Sequence, residues 1–296
     1  MSDDFEGLSQ DLQVAFGEGA GEPWTDDVFN EWAMRIFAHQ FESNTAYGPY
    51  ALRRGVTPST VRHWHEVPPV PAAAFKSVPL ISGDPTRVQR IFRTSGTTRG
   101  HEGRGEHYVL DLDLYRASLV STMRSRIYRG GLNLRLLALV PDPLEAKDSS
   151  LSFMFGEALV SLSGGEGGFF VAGDGSMDSE GLRNALMETT LEQRPVLLAG
   201  TASALVHWID WMREARARFD LPAGSIIMET GGFKGRSRML SRIDFYRELS
   251  TAHGVPLQNI LSEYGMTELL SQGYSNGNGI FTNPPWMQVF MRDTED

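Results

Sequence analysis

The chain has 296 residues, 41% of them hydrophobic and 22% charged, and a formal net charge of −10 at pH 7. That is enough chain for a large core in one large domain or two lobes, and the composition is that of a soluble globular protein rather than a disordered one. The acidic balance sets nucleic acid aside as a partner, although one small anion could still find a local basic pocket, and the lack of cysteine excludes disulfides, thiolate metal sites and a thioester on this chain.

The N-terminus, MSDDFEGLSQ, is acidic and lacks a signal-peptide pattern. No apolar run is long enough to cross a bilayer; the longest, Val196–Ile209, contains His207 and reads as a buried strand followed by a helix. The expected setting is therefore cytoplasmic, with no membrane span. Phe29, Ala33, Phe37 and Phe41 recur every four residues, as do Val28, Trp32 and Ile36, which predicts a long N-terminal helix with a wide apolar face. Prolines then punctuate residues 58–85. Residues 88–92 read as a strand, and Leu112, Tyr115, Leu119, Met123 and Ile127 form a helical stripe.

Beyond that point strands and helices alternate. Strands are predicted over 134–140, 167–173, 195–200, 225–229 and 259–263, and helices over 149–162, 179–193, near 201–218 and near 237–253. The alternation implies an α/β protein whose mainly parallel sheet is flanked by helices on both faces. The expected organisation is an N-terminal helical segment over 1–60 and an α/β lobe over 61–296.

In such sheets ligands lie beyond the carboxyl ends of the strands, so the loops leaving those ends are the place to look for chemistry. Four are unusual. In "RTSGTTRG", Thr94, Ser95, Gly96, Thr97 and Thr98 stand between two arginines, a composition that suits either a phosphate cradle or an ordinary surface turn. The second loop is "VPDPLEAKDSS" at 140–150, and the third, "METGGFKGRS" at 228–237, combines three glycines with Lys234 and Arg236. In the fourth, "SEYGMTELLSQGY" at 262–274, Tyr264 offers a face for a purine, Gly265 permits close backbone approach, and Thr267 and Glu268 pair a hydroxyl with a carboxylate suited to Mg²⁺ carried by phosphates. Taken alone, this last segment reads first as a strand-to-helix turn with Thr267 as cap and Glu268 in the first helical turn. The coincidence of all these features, in order, favours a nucleotide.

TSGTT followed far downstream by YGMTE resembles the adenylate-forming superfamily of acyl- and aryl-CoA synthetases and luciferases. "VPPVPAAAFK" (67–76), "SSLSFMF" (149–155), "TGGFKGRS" (230–237) and "SEYGMTELLSQ" (262–272) are similar to the acyl-protein synthetase family, which activates fatty acids for the bacterial bioluminescence reductase. The resemblance runs from about residue 60 to the last residue. It implies a large adenylating lobe with ATP and Mg²⁺ as cofactors. Thr94–Thr98 would hold the β- and γ-phosphates; Gly231, Gly232, Phe233, Tyr264, Gly265 and Met266 would surround the adenine; Thr267 would touch the α-phosphate and Glu268 would hold Mg²⁺. Ser150, Phe153, Met154 and Thr201 would lie near the acyl chain. The implied product is an acyl-adenylate of a carboxylic, fatty acid, made for onward transfer to a thiol on an acceptor protein or within a reductase complex.

The sequence departs from the family pattern in three places. The usual Gly-x-Pro-Lys continuation of the phosphate loop is replaced by "RGHEGRGEH", where Arg99 or Arg104 could stand in for the lysine. The small C-terminal lobe would follow about where this sequence stops, so it is expected to be cut off or naturally missing. The family's acyl-accepting cysteine has no counterpart among these residues. Two further readings therefore stand beside the first: a non-catalytic nucleotide- or acyl-binding component of a multienzyme complex, and a ligase serving CoA or a carrier protein. Weaker candidates are His63 and His65 as metal ligands, Lys76 as a phosphate contact, and His107 with Asp111 as an acid–base pair if that segment is helical. Trp208 and Trp211 are expected in the core.

Overall fold

A computed structural model of the chain describes residues 3–94, 103–232 and 240–291. Backbone contacts divide it into two units, one of Met1–Ser121, Thr267–Ser271 and Asn283–Asp296, the other of Thr122–Met266 and Gln272–Thr282.

The first unit begins with helices α1 (Asp3–Gly17), α2 (Asp26–Ser43) and α3 (Tyr47–Arg53). α2 is the helix foreseen from the Phe29–Phe41 spacing. Thr25 caps it by accepting the Val28 N–H, Asp26 and Asp27 favour its positive end, and Phe37 packs with Tyr47, Ala51 and Val61. α1 was not foreseen, because its buried face carries a polar residue. Ser9 is 2% exposed and donates to Asp111 Oδ2 at 2.5 Å, which Gln13 also reaches at 3.0 Å, and this interrupts the apolar stripe of Leu12, Ala15 and Phe16. Strands β1 (Arg90–Arg93) and β2 (Glu106–Val109) form a separate two-stranded antiparallel sheet. Thr94 thus follows a strand of this separate pair, not a strand of the main sheet. α4 (Leu112–Arg126) follows and runs through the division between the units.

The second unit is built on a seven-stranded sheet of β3 (Arg135–Leu139), β4 (Gly167–Phe169), β5 (Val196–Thr201), β6 (Ile226–Thr230), β7 (Ile260–Gly265), β8 (Gln272–Ser275) and β9 (Phe281–Thr282), in the spatial order β4-β3-β5-β6-β7-β8-β9. The pairs from β4 to β7 are parallel and the last two antiparallel. Between the parallel strands run α5 (Ser150–Ser161), α6 (Ser179–Leu191), α7 (Ala202–Glu214) and α8 (Arg242–His253). Leu137, Leu139, Val196, Leu198, Ile227 and Ile260 pack one face of the sheet against α6, α7 and α8, while their neighbours Leu136, Ala138, Leu197, Ala199, Met228 and Leu261 are buried as well. Burial on both sides explains why these strands read as continuous apolar runs rather than as alternating ones.

The path of the chain marks one place on this sheet. From β3 it moves outward to β4, then returns to the other side of β3 as β5 and continues through β6 to β7. The strand order therefore reverses between β3 and β5, the topological switch point where open sheets of this type leave a crevice. Gly200, near the end of β5, is needed there: a β-carbon on it would lie 2.6 Å from Leu139 Cβ and 3.0 Å from Leu139 O.

Trp208 and Trp211 stack in the core of this unit, as expected. Trp208 Nε1 donates to Nε2 of the fully buried His253, whose Nδ1 bonds the Leu249 carbonyl at 3.0 Å. A carbonyl only accepts, so Nδ1 carries the proton and Nε2 accepts from the indole, and the ring is neutral. Burial depresses its pKa to about 4.

Two outcomes follow from this packing. Gly200→Ala is expected to cost about 2 kcal/mol of unfolding free energy through overpacking against Leu139, read from urea unfolding. Below the ordinary histidine pKa the unfolded chain binds a proton that buried His253 refuses, so the stability it lends at neutral pH is lost as pH falls from 6.5 towards 4. His253→Gln should flatten that acid limb by up to one proton; parallel pH profiles for the two proteins would refute the assignment.

Candidate functional site

The parallel strands bring several of the sequence-predicted residues to one edge of the second unit. Ser150 opens α5 just past the loop that leaves β3, and Thr201 is the last residue of β5, where its hydroxyl caps α7 by accepting the Ala204 N–H. Since Leu139 pairs with Gly200, Ser150, Phe153, Met154 and Thr201 belong to the two elements that leave the switch point. Phe153 and Met154 are 7% and 2% exposed. Gly231 and Gly232 leave the end of β6 exposed, and Gly231 has φ +71°, a conformation that favours glycine. Thr230 pairs with Glu263, so Gly231 and Tyr264 follow neighbouring positions on adjacent strands. Tyr264 and Met266 are exposed, at 48% and 41%, for apolar residues at a strand end. Phe233, Lys234 and Arg236 lie outside the described residues.

Two buried carboxylates stand beneath this edge. Glu229 Oε1 accepts from Tyr246 OH at 3.0 Å, and Glu263 accepts from the Thr230 hydroxyl. Burial raises both pKa values, that of Glu263 to about 7, with the Glu229 charge adding to the rise. Sequence reasoning passed over both. Their signal was an acidic residue ending each of two apolar strand patterns, "SIIME" and "NILSE".

The remaining candidates lie in the first unit. Thr94 closes the mouth of the β1–β2 hairpin: its N–H donates to Gly105 O at 2.9 Å and its Oγ1 accepts the Gly105 N–H at 2.8 Å. Arg104 Nε donates to Thr94 O at 2.5 Å and Nη2 to Arg93 O at 3.2 Å, so this guanidinium is spent in part on holding the hairpin. Gly105 sits in close quarters, since a β-carbon there would come within 3.2 Å of Thr94 Cγ2 and 3.4 Å of Lys76 Cγ, which also places Lys76 beside the mouth. Ser95, Gly96, Thr97, Thr98 and Arg99 lie outside the described residues.

Thr267 and Glu268 sit in the connection between the antiparallel strands β7 and β8, with no helix following. The alternative reading as a helix cap is excluded for that reason. Leu270 adopts φ +50°, and Ser271 Oγ lies 3.1 Å from Ser118 Oγ, which accepts from Trp286 Nε1. His107 bonds the Thr267 carbonyl through Nδ1 at 2.7 Å. It belongs to strand β2, not to a helix, so it does not pair with Asp111, which instead receives Ser9 and Gln13 and accepts the Asp113 N–H at the start of α4. Burial lowers the His107 pKa, opposed by its bond to Thr267 and by the Glu268 charge. A cavity of about 600 Å³ in the same unit is lined by His107 and Glu268 together with apolar side chains including Leu12, Phe16, Leu114 and Leu269.

His63 is engaged elsewhere. Its Nε2 pairs with Asp26 at 2.9 Å, and no group of three or more potential metal-binding His, Cys, Asp or Glu side chains occurs among the described residues. Nor is any helix of the described residues long and apolar enough to cross a membrane.

The fold is similar to that of solved CoA ligases. Similar solved structures include 2-hydroxyisobutyryl-CoA ligase in an open conformation with 2-HIB-AMP and CoA (TM-score 0.57, 15% identity, 85% of this chain and 52% of that chain). The same ligase in its postadenylation state with 2-HIB-AMP is also similar (TM-score 0.59, 13% identity, 85% and 51%). The present chain thus spans about half the length of these ligases. No curated protein matches the sequence significantly. The family model "Acyl-protein synthetase, LuxE" matches residues 21–293. The chain belongs to the LuxE acyl-protein synthetase family.

The buried carboxylate offers a direct test of the second unit. Glu263 stays protonated in the fold until about pH 7 while the unfolded chain ionises near 4.5, so its contribution is complete below 4.5 and is lost as pH rises through 7. Relative to Glu263→Gln, the parent should therefore lose stability between pH 4.5 and 7 in urea unfolding, by up to one proton in slope.

Proposed function

We propose that the chain uses ATP to activate a carboxylic acid with an apolar, fatty body, forming an acyl-adenylate for transfer to a thiol. The observation that carries this reading is the Tyr-Gly-Met-Thr-Glu turn leaving the carboxyl end of β7 in a chain of the LuxE family. Residues 94–98 are assigned to the β- and γ-phosphates, Gly231, Gly232, Phe233, Tyr264, Gly265 and Met266 to the adenine, and Thr267 to the α-phosphate. The exposure of Tyr264 at a strand end, uncommon for a large ring, supports a stacking role. Ser150, Phe153, Met154 and Thr201 are assigned to the acyl body, which their place on the elements leaving the switch point supports.

The chemistry demands alignment more than activation. A carboxylate is already ionised at neutral pH and needs no general base to attack the α-phosphorus; a bond forms between them as the bond to pyrophosphate breaks. The difficulty is bringing two anions together while charge accumulates on the departing pyrophosphate. Backbone N–H groups and cationic side chains answer it by lying ready where that charge develops.

The oxygen donors of Thr267 and Glu268 fit Mg²⁺, which is commonly held by one or two carboxylates together with phosphate oxygens. Glu268 would hold the ion, which when bound would offset phosphate charge. The thiol acceptor is none of these 296 residues, which contain no cysteine.

Glu268→Gln and Thr267→Ala are each expected to lower carboxylate-dependent exchange of labelled pyrophosphate into ATP about 100-fold, with little change in thermal stability. Exchange at the parental rate in both would refute their roles, and screening acids in the same assay identifies the substrate.

A further inference from the structure

We infer that His107 is a positioning residue for the Thr267–Glu268 turn: its Nδ1–H, presented by the return strand of the β1–β2 hairpin, sets the Thr267 carbonyl and with it the two side chains assigned to the nucleotide. The inference rests on the functional reading above for its consequence and on geometry for its substance. The two groups are 160 residues apart in sequence and 2.7 Å apart in space.

The direction of the bond is settled by its chemistry. The Thr267 carbonyl can only accept, so the imidazole carries hydrogen on Nδ1 and donates it. The ring is held from the hairpin side as well. His107 pairs with Phe92 in the strand register, and its ring lies 5.3 Å from that of Phe75. Two residues before it, Gly105 is locked to Thr94 by reciprocal bonds. A shift of the hairpin mouth would therefore be felt at Thr267, and the reverse.

The turn needs such support. It joins antiparallel strands through residues 266–271 with a left-handed Leu270, an uncommon conformation for leucine. The Ser118–Ser271 contact holds its far end. His107 holds its near end, immediately before Glu268.

The test uses His107→Leu, which keeps an apolar side chain of similar reach against Phe75 but has no donor, and His107→Asn, whose amide places an N–H near the Nδ1 position. Amide hydrogen exchange across 267–271, ATP–pyrophosphate exchange kinetics and thermal midpoints are read for both and for the parent. The Leu variant is expected to lose protection across 267–271 and at least about tenfold in kcat, because small misplacements of aligned groups cost large factors in rate, while KM for the acid and the thermal midpoint hold. The Asn variant should recover most of both losses. Unchanged protection and rate in the Leu variant overturn the inference, and so does equal impairment of the two variants. A parent protein that exchanges pyrophosphate with no acid sinks the adenylation reading instead, and protection at 267–271 then decides the role of His107 alone.

Discussion

The register of four parallel strands, buried on both faces, is the constraint from which the rest of the second unit follows. β3, β5, β6 and β7 pair residue against residue with apolar side chains on both sides, so no charged group can sit along them without losing its hydration. Polar chemistry is displaced to where the strands end. There the sheet tolerates Glu229 and Glu263, each supplied with a hydroxyl donor and each pushed towards its protonated form. The same ends release Gly231, Gly232 and Tyr264 into solvent.

In the first unit the governing device is different: two antiparallel turns, joined by one histidine. Parallel strands need long crossovers, whereas antiparallel ones can place a short polar connection at will. The β1–β2 hairpin uses that freedom to close residues 94 and 105 on each other, and the β7–β8 connection uses it to carry Thr267 and Glu268. Met266 and Thr267 are consecutive residues assigned to different units.

Several elements were legible because a local pattern determined them. The four-residue spacing of Phe29–Phe41 gave α2, and the apolar runs at 134–140, 195–200, 225–229 and 259–263 gave the central strands within a residue or two. Local patterns failed where a side chain answered to a distant partner. α1 was hidden because Ser9 serves Asp111, 102 residues away. The 94–105 and 266–271 connections were read as strand-to-helix loops because alternation elsewhere in the chain suggested it, and only strand pairing showed them to be hairpins.

The sequence by itself determined the α/β class, the parallel core and the family, because each is written in periodicity or in motifs of a few adjacent residues. Tertiary structure alone decided what His107 touches, that Glu229 and Glu263 are both buried, and that the strand order reverses between β3 and β5. Those depend on which segments lie next to one another. A hydrogen bond across 160 residues leaves no trace in spacing, since its energy comes from the fold having already brought the two ends together.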